Sequence, residues 1–317
     1  MKQTYIWGAG HYGVLTALDC EQRGIEVAGF IDSNASKIKT RLGLPCLSIE
    51  QVPLPVERLI IAIQNEDAVK TITEKLKSQG INFEISKLII PEYLHFTMNY
   101  QIPVLYWYFD ERNDSKIHNS AEDYKRAFEN LENKTFEYYG KDINSFYAAF
   151  EKYNLKGKSV LIWGLAGLNC EAMALWQGAE HVYVVDYNKP VCEHNKITVM
   201  NHEELMKSGI KTDVAISFSS FEHDGLGRYG DPLNPNGDLE AMQTARNFLK
   251  DDGYMLFGVP QGKDCLVWNA HRIYGDIRLP LLLRGWKTEA VFEQEPAVGQ
   301  PLGTYHIQPL MVLRKIF

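Results

Sequence analysis

The sequence has few cysteines, no long apolar run and no excess of basic residues, and each shortage excludes a class of protein. Its five cysteines include no Cys-x-x-Cys pair, which argues against a disulfide scaffold and favours reduced thiols. No stretch approaches the roughly 20 apolar residues that span a bilayer, and the first residues contain no apolar signal core. Forty Asp and Glu against 33 Lys and Arg give a formal net charge of −7, which disfavours nucleic-acid and anionic-lipid partners.

A regular metal-ligand pattern and internal repeats are also missing. Cys192, His194 and His202 are irregularly spaced and no second ligand pair accompanies them, so no metal site is expected. These shortages together predict a cytoplasmic protein that neither enters a membrane nor binds nucleic acid.

The chain instead has the length and the strand and helix pattern of two α/β domains. Its 317 residues are enough for two cores. Segments that start at Thr4 and at Ser159 each run from strand through glycine turn to helix. This alternation predicts a doubly wound, Rossmann-like parallel sheet in each domain. We expect the domains at 1–95 and 156–317, with a connector at 96–155.

The last two predicted strands, Trp286–Phe292 and His306–Lys315, have no helix between them. They would therefore pair as a hairpin, with the last strand antiparallel to the rest of the sheet. That ending is the topology of a class I methyltransferase, and a domain that binds nicotinamide adenine dinucleotide (NAD) would not normally finish so.

The first glycine turn has the spacing of a phosphate-binding loop. Gly8, Gly10 and Gly13 follow a predicted strand and open a helix, and Asp32 ends the next strand. Glycines allow backbone N–H groups to approach a phosphate, and an acid at this position can accept from a ribose hydroxyl. The turn predicts a nucleotide site, and a module that only docks other domains is the alternative.

A second glycine turn lies at Gly164, Ala166 and Gly167, with Asp186 at the end of the following strand. An acid there fits the ribose of either S-adenosylmethionine or NAD, so this turn alone does not discriminate between the two cofactors.

The polar loop 219–235 follows the third strand of the second domain, at the edge where open α/β sheets bind ligands. His223 is the natural general base, because its unperturbed pKa lies near neutrality. Glu222 or Asp224 could orient it, and Arg228 adds a cation. Ordinary capping within the loop is the alternative.

A second polar segment, 261–275, follows the next strand and would lie beside that loop. His271 and Arg272 could bind an anionic or hydroxyl-rich substrate, although a structural role for His271 is an equal alternative.

The connector is rich in aromatic residues between Tyr93 and Phe109 and charged from Ser120 to Tyr153, where we predict helix. Its aromatic residues either pack between the domains or form a lid or sugar-stacking platform.

The segment from Val160 to Phe292 resembles the domain-of-unknown-function family numbered 268, a divergent branch of the S-adenosylmethionine-dependent methyltransferases. The resemblance rests on three stretches: Ser220-Phe-Glu-His-Asp-Gly-Leu-Gly-Arg-Tyr-Gly-Asp-Pro-Leu, Gly258-Val-Pro and Val267-Trp-Asn-Ala-His-Arg-Ile-Tyr-Gly. It implies a class I methyltransferase-like domain with the cofactor at the second glycine turn. The turn departs from the superfamily pattern, because Ile162 stands at the usual acidic position and Ala166 at a usual glycine.

Residues 1–95 resemble the small Rossmann-like domain that begins bacterial sugar acyltransferases. The matching pieces are Gly8-Ala-Gly10, Gly29-Phe-Ile-Asp32 and Gly43-Leu-Pro45. This resemblance implies a small-molecule or nucleotide-linked sugar as the substrate.

The sequence therefore predicts an S-adenosylmethionine-dependent O-methyltransferase of sugars or related metabolites in bacterial surface-polysaccharide synthesis, with a homodimer as the candidate assembly. An NAD-dependent nucleotide-sugar oxidoreductase and a non-catalytic nucleotide-binding scaffold are the alternatives. The predicted catalytic residues are His223, Asp224 and Glu222. The predicted cofactor residues are Gly164, Ala166, Gly167, Asp186, Tyr187 and Ser219. The predicted substrate residues are Arg228, Tyr229, Asp231, His271, Arg272, Gly8, Gly10, Gly13 and Asp32.

Overall fold

The computed structural model describes residues 3–52, 56–89, 91–109, 111, 117–138, 141–165, 167–292 and 306–316. The chain divides into two compact units, residues 1–91 with 106–108 and residues 92–105 with 109–317. The domain boundaries near residues 95 and 155 stay predictions. No helix among the described residues is long and apolar enough to cross a membrane.

The first unit is a parallel sheet with helices between its strands. Its described strands lie in the order β3-β4-β2-β1-β5-β6, and β3 alone is antiparallel to its neighbour. The apolar strands at the centre are buried because helices cover such sheets on both faces. The elements are β1 (Thr4–Trp7), α1 (His11–Gln22), β2 (Val27–Ile31), α2 (Ala35–Ile38), β3 (Thr40–Arg41), β4 (Leu44–Leu47), a 3₁₀ turn (Ile49–Gln51), β5 (Arg58–Ile61), α3 (Glu66–Ser78) and β6 (Glu84–Ile85).

Two glycines of the first turn differ sharply in the space around them. A Cβ added to Gly13 would lie 1.8 Å from the carbonyl oxygen of Gly8, whereas one added to Gly10 would meet nothing within 4 Å. Gly13 therefore lets α1 pack directly on the turn that precedes it.

We expect Gly13→Ala to lower the free energy of unfolding by about 2 kcal/mol or more, because the backbone must move to admit the methyl group. Gly10 has an ordinary φ of −77°, so Gly10→Ala should change the free energy of unfolding by less than about 1 kcal/mol. Thermal denaturation of the two variants checks this. Equal shifts in Tm would contradict the close packing at Gly13.

The second unit is built around a larger sheet. The described helices that follow Pro91 are α4 (Tyr93–Phe96), α5 (Ala121–Glu132), α6 (Asn144–Lys152), α7 (Cys170–Trp176), α8 (His202–Ser208), α9 (Gly237–Phe248) and α10 (Leu279–Leu282). The described strands that follow Pro91 are β7 (Val104–Trp107), β8 (His118–Asn119), β9 (Glu137–Tyr138), β10 (Lys141–Asp142), β11 (Ser159–Trp163), β12 (His181–Val185), β13 (Val191–Cys192), β14 (Ile197–Met200), β15 (Thr212–Phe218), β16 (Leu249–Gly258), β17 (Gln261–Gly262), β18 (Cys265–Asn269), β19 (His271–Ile273), β20 (Trp286–Phe292), β21 (His306–Ile307) and β22 (Leu310–Lys315).

The large sheet has the strand order β14-β12-β11-β15-β16-β22-β20. Strand β22 is antiparallel to both of its neighbours, and the pairs from β14 to β16 are parallel. The fold class predicted from the sequence is therefore confirmed: the second unit is a class I methyltransferase-like sheet with an antiparallel last strand. The strand order reverses at β11, which makes the carboxyl ends of β11 and β15 the expected place for a ligand.

Two predictions of secondary structure were wrong. The helix predicted from Ser120 to Tyr153 is two helices, α5 and α6, with the antiparallel strands β9 and β10 between them. The capping box of Ser120 and Asp123 begins α5, but the helix ends at Glu132, and Lys134, two residues further on, has a φ of +55° although it is not glycine. The strand predicted from His306 to Lys315 is divided into β21 and β22.

Candidate functional site

A cavity of about 610 Å³ opens in the second unit at the carboxyl ends of three adjacent strands, β11, β12 and β15. Its size is typical of small-molecule sites. Each of these strands ends in a residue of the cavity wall and continues into a turn that also lines it. The described lining residues are Glu111, Ile117, Tyr138, Trp163, Gly164, Leu165, Val185, Asp186, Tyr187, Asn188, Pro190, His202, Phe218, Ser219, Ser220, His223, Asp224, Arg228 and Tyr229.

The glycine turn after β11 forms one side of the cavity. Gly164 has a φ of +74°, and a Cβ there would lie 2.5 Å from the Oγ of Ser220, so glycine is needed for both its conformation and its close approach to the neighbouring loop. Gly167 has a φ of +95° and is not a lining residue. Ala166 lies outside the described residues. Ile162 is buried in the core, so its position does not face the cavity.

Asp186, at the end of β12, accepts hydrogen bonds from the backbone of two turns. Its Oδ2 accepts from the N–H of Leu165 at 2.9 Å and its Oδ1 from the N–H of Asn188 at 2.7 Å. A carboxylate offers about four lone-pair sites, so each oxygen keeps capacity for one further donor on the cavity side. Asp186 thus holds the glycine turn and can still accept from a ligand.

Tyr187 and His202 form a flat surface beside Asp186. Their rings stack with centroids 4.1 Å apart and an angle of 24° between planes. The Nδ1 of His202 is buried and has no hydrogen-bond partner in the part of the chain that the structure describes. Burial lowers the pKa of His202, so the imidazole is neutral at physiological pH and its face can carry an uncharged aromatic ring.

Ser219 begins the polar loop with a strained backbone. It has a φ of +55°, which costs energy for a residue other than glycine. Its N–H donates to the carbonyl of Gly258 at 2.9 Å, and its hydroxyl donates to Oε1 of Glu222 at 2.7 Å. The strained conformation brings Ser219 to the cavity wall while Glu222 stays behind it.

Glu222 is buried and does not line the cavity. Burial raises the pKa of its carboxyl to about 7, and its Oε2 has no hydrogen-bond partner among the described residues. The distance from its Oε1 to the Nε2 of His223 is 3.7 Å. That is longer than a hydrogen bond but close enough for an ion pair if the imidazole gains a proton.

His223 lines the cavity with a defined tautomer. Its Nδ1 is 2.5 Å from the carbonyl oxygen of Ala270. A carbonyl can only accept, so Nδ1 carries the proton and Nε2 keeps a free lone pair. Burial, with the guanidinium of Arg228 adding to it, lowers the pKa of His223 well below its usual value. The side chain is therefore a neutral imidazole with one basic nitrogen, and the group that orients it is a backbone carbonyl rather than a carboxylate.

Asp224 also lines the cavity, but its carboxyl makes no hydrogen bond to a described residue. Burial raises the pKa of Asp224 well above its usual value, and the nearby Asp231 adds to this. Asp231 is buried and off the cavity. Its Oδ2 accepts from the N–H groups of Gly225 and Gly227 at 2.8 and 3.0 Å, so it shapes the loop.

Arg228 and Tyr229 complete the far wall, where Arg228 is paired with Glu111. The Nε and Nη2 of Arg228 donate to Oε2 and Oε1 of Glu111 at 2.8 and 3.0 Å, and its guanidinium lies over the rings of Phe109 and Tyr229 at 4.5 and 5.0 Å. The carboxamide of Asn269 both donates to and accepts from the backbone of Phe109. The connector is thus fixed to the polar loop at the cavity.

Arg272 and His271 do not reach the cavity. Arg272 is 2 % exposed, and its Nη1 donates to the backbone carbonyls of Glu222 and Asp224 at 3.3 and 2.7 Å. Burial lowers the pKa of His271 to about 4, and its ring lies 6.3 Å from that of His223. Both residues support the polar loop from behind.

The predicted residues of the first turn lie in the first unit. Asp32 accepts from the N–H groups of Ala9 and Asn34 at 2.9 and 2.8 Å, the same arrangement that Asp186 has in the second unit. Gly8 has a φ of +117°, and a Cβ there would lie 2.4 Å from the carbonyl oxygen of Ala62.

Sequence reasoning did not identify eleven of the described lining residues as site residues, and Glu111, Tyr138 and His202 are three of them. These three come from segments distant in sequence from both glycine turns. His202 follows β14, the edge strand of the large sheet, and because the sequence analysis did not predict that strand no signal marked this histidine as a lining residue. Among the described residues, no group of three His, Cys, Asp or Glu side chains could hold a metal ion.

Comparison with solved structures finds similar folds at low identity. The ribosomal protein L11 methylase from Lactobacillus delbrueckii subsp. bulgaricus is 15% identical, with 57% of this chain and 81% of that chain covered and a TM-score of 0.34. TehB from Haemophilus influenzae is 13% identical, with 60% and 67% covered and a TM-score of 0.38. TYW2 from M. jannaschii, solved in complex with AdoMet (S-adenosylmethionine), is 12% identical, with 57% and 85% covered and a TM-score of 0.34.

No curated protein matches the sequence with significance. Residues 157–311 match the model of the family described as "Caenorhabditis protein of unknown function, DUF268". The resemblance predicted for Val160 to Phe292 is confirmed by this match, and the one predicted for residues 1–95 stays a prediction.

Proposed function

We propose that the second unit is an S-adenosylmethionine-dependent methyltransferase that acts on a hydroxyl group of a sugar or related metabolite. The observation that carries the proposal is the cavity at the strand-order reversal of a class I methyltransferase-like sheet, which is lined by both the carboxylate of Asp186 and the neutral imidazole of His223. A place in bacterial surface-polysaccharide synthesis remains part of this proposal.

The cofactor side of the cavity fits an adenosyl ligand in the chemistry of its groups. Asp186 has acceptor capacity left for ribose hydroxyls, and the stacked Tyr187 and His202 offer a flat surface for an aromatic base. Gly164 would allow close approach of the backbone. S-adenosylmethionine, when bound, supplies an electrophilic methyl group.

The acceptor side supplies what the hydroxyl needs. A hydroxyl oxygen must lose its proton as it is methylated, and the Nε2 of His223 is the available base because its Nδ1 is held by Ala270. The protonated imidazole would lie 3.7 Å from Glu222, whose carboxylate would stabilise it. Positioning of the two reactants would supply much of the remaining acceleration.

Calorimetric titration with S-adenosylhomocysteine tests the proposal. We expect binding by the unaltered protein and at least a tenfold weaker Kd for Asp186→Ala, since about two hydrogen bonds to ribose would be lost. Asp32→Ala is the matched control, because Asp32 makes the same two backbone contacts in the first unit.

The outcomes separate the alternatives. Equal affinity in both variants would contradict the assignment of Asp186 to the ribose. Binding of NAD that Asp32→Ala removes, with no response to S-adenosylhomocysteine, would favour the nucleotide-sugar oxidoreductase. No response to either ligand would favour the scaffold.

A further inference from the structure

The cation at the far wall of the cavity, where the acceptor would bind, is Arg228, and its charge is neutralised by Glu111. Arg228 is the only always-cationic side chain among the described lining residues. Its Nε and Nη2 are held by the carboxylate of Glu111, and its Nη1 lies 3.3 Å from the carbonyl oxygen of Ala270. An arginine paired in this way has little capacity left for the bidentate grip that a phosphate or carboxylate receives.

Arg272, the other arginine predicted to bind the substrate, does not line this wall. Arg272 is 2 % exposed and donates to backbone carbonyls of the polar loop. His223 and His202 are neutral for the reasons given above. An anionic ring substituent would therefore meet no uncompensated positive charge from the described residues of the wall.

Asp224 makes the same wall favour a ligand that can form hydrogen bonds with its carboxyl group. Its backbone is fixed, with its N–H donating to Phe221 and its carbonyl accepting from Arg272 at 2.7 Å, whereas its carboxyl faces the cavity without a hydrogen bond to a described residue. The carboxyl is half-buried and burial raises its pKa well above the usual value, so it favours a ligand that exchanges hydrogen bonds with it over a charged one.

Two further features separate a hydroxyl donor from an ammonium donor. Glu111 is already paired with Arg228, so it offers an ammonium group little attraction, and the neighbouring lining residues include the aromatic Tyr138 and Tyr229. Mixed donors and acceptors beside aromatic faces suit the alternating hydroxyl and C–H surface of a sugar ring.

We propose that the cavity selects an uncharged, polyhydroxylated ring as the methyl acceptor, and that Asp224 is the specificity-determining residue that accepts from its hydroxyl groups. This inference rests on the proposed function and narrows its substrate class, because phosphorylated and amino-substituted rings are expected to bind less well.

Saturation-transfer NMR of the full chain with saturating S-adenosylhomocysteine tests it. The probes are the methyl glycosides of glucose, galactose and mannose, together with glucose 6-phosphate and glucosamine. We expect transfer to at least one methyl glycoside, and about a tenfold or greater loss of its affinity in Asp224→Ala. Asp276→Ala, which removes an exposed carboxyl of the same unit, should keep the affinity.

Preferred binding of glucose 6-phosphate or glucosamine by the unaltered protein would overturn the proposal, and so would an unchanged affinity in Asp224→Ala. Absence of transfer to every probe would overturn it too. Calorimetric binding of S-adenosylhomocysteine is measured on the same samples, so loss of the cofactor assignment is distinguished from loss of the acceptor assignment.

Discussion

Replacing His223 by alanine is expected to lower kcat about a hundredfold or more, the usual contribution of a general base. The reason is the fixed tautomer: Ala270 holds the Nδ1 proton, and only Nε2 can take the proton of the acceptor hydroxyl. Binding of S-adenosylhomocysteine should be unchanged, because the cofactor side of the cavity is formed by other residues. The measurement is methyl transfer from radiolabelled S-adenosylmethionine, with calorimetry on the same samples.

The pH profile provides a second readout for His223. Burial and Arg228 lower its pKa, and a base acts only when it is deprotonated, so the acid limb that His223 sets should lie below pH 6.5. The profile is measured in Glu222→Gln, because the carboxyl of Glu222 has a pKa of about 7 and would add a limb of its own. His181→Ala removes a histidine at the start of β12 and serves as the control. An unchanged kcat in His223→Ala, or an acid limb at or above pH 6.5 in Glu222→Gln, would contradict the role of His223.

Replacing Asp238 by alanine is expected to lower the free energy of unfolding of the second unit by about 3–5 kcal/mol, the cost of leaving a buried charge without its partner. Asp238 is fully buried. It accepts from Arg278 at 2.8 and 2.6 Å and from the hydroxyl of Tyr274 at 2.9 Å, and the Nε of Arg272 is 3.7 Å away. Burial alone would raise the pKa of Asp238, but the two guanidinium groups outweigh it and hold the pKa below the usual range.

Urea denaturation measures this loss against a matched surface pair. Glu289 and Arg314 are both 37% exposed and form an ion pair at 2.7 Å, so Glu289→Ala should cost less than about 1 kcal/mol. If Asp238→Ala were no more costly than Glu289→Ala, the buried network would not hold the polar loop as described. The network matters to the site because Arg272 binds the loop at Glu222 and Asp224.

The strands around the cavity could be predicted from the sequence because they are short apolar runs. Ser159–Trp163 and His181–Val185 have the predicted bounds, and runs buried on both faces give the clearest signal. Trp286–Phe292 also has the predicted bounds, although it is an edge strand whose side chains are mostly exposed. The helix predicted across Ser120–Tyr153 was wrong although its interruption contains Gly140, because a single glycine inside a charged stretch that favours helix is a weak break signal. Strand β14 was not predicted, since its alternation is weak.

The candidate site could be predicted only in the segments where polar residues, glycines and prolines directly follow a predicted strand. The glycines and prolines of the polar loop placed His223, Asp224 and Arg228 at the sheet edge, and the cavity contains all three. The sequence could not show which way Arg272 points, because strand β19 presents alternate residues to opposite faces. Nor could it predict that Glu111 pairs with Arg228, because these residues are 117 positions apart.

Asp32 and Asp186, which directly follow β2 and β12, stabilise the two glycine turns, so natural selection has a second reason to retain these turns. Asp32 and Asp186 each tie the turn before the helix to the turn after the next strand. A descendant that lost its ligand would still lose folding stability if either acid were replaced. Selection for folding alone would therefore preserve the motif. Its presence in a sequence is evidence of a stable Rossmann-like domain and is not by itself evidence that the domain binds a ligand.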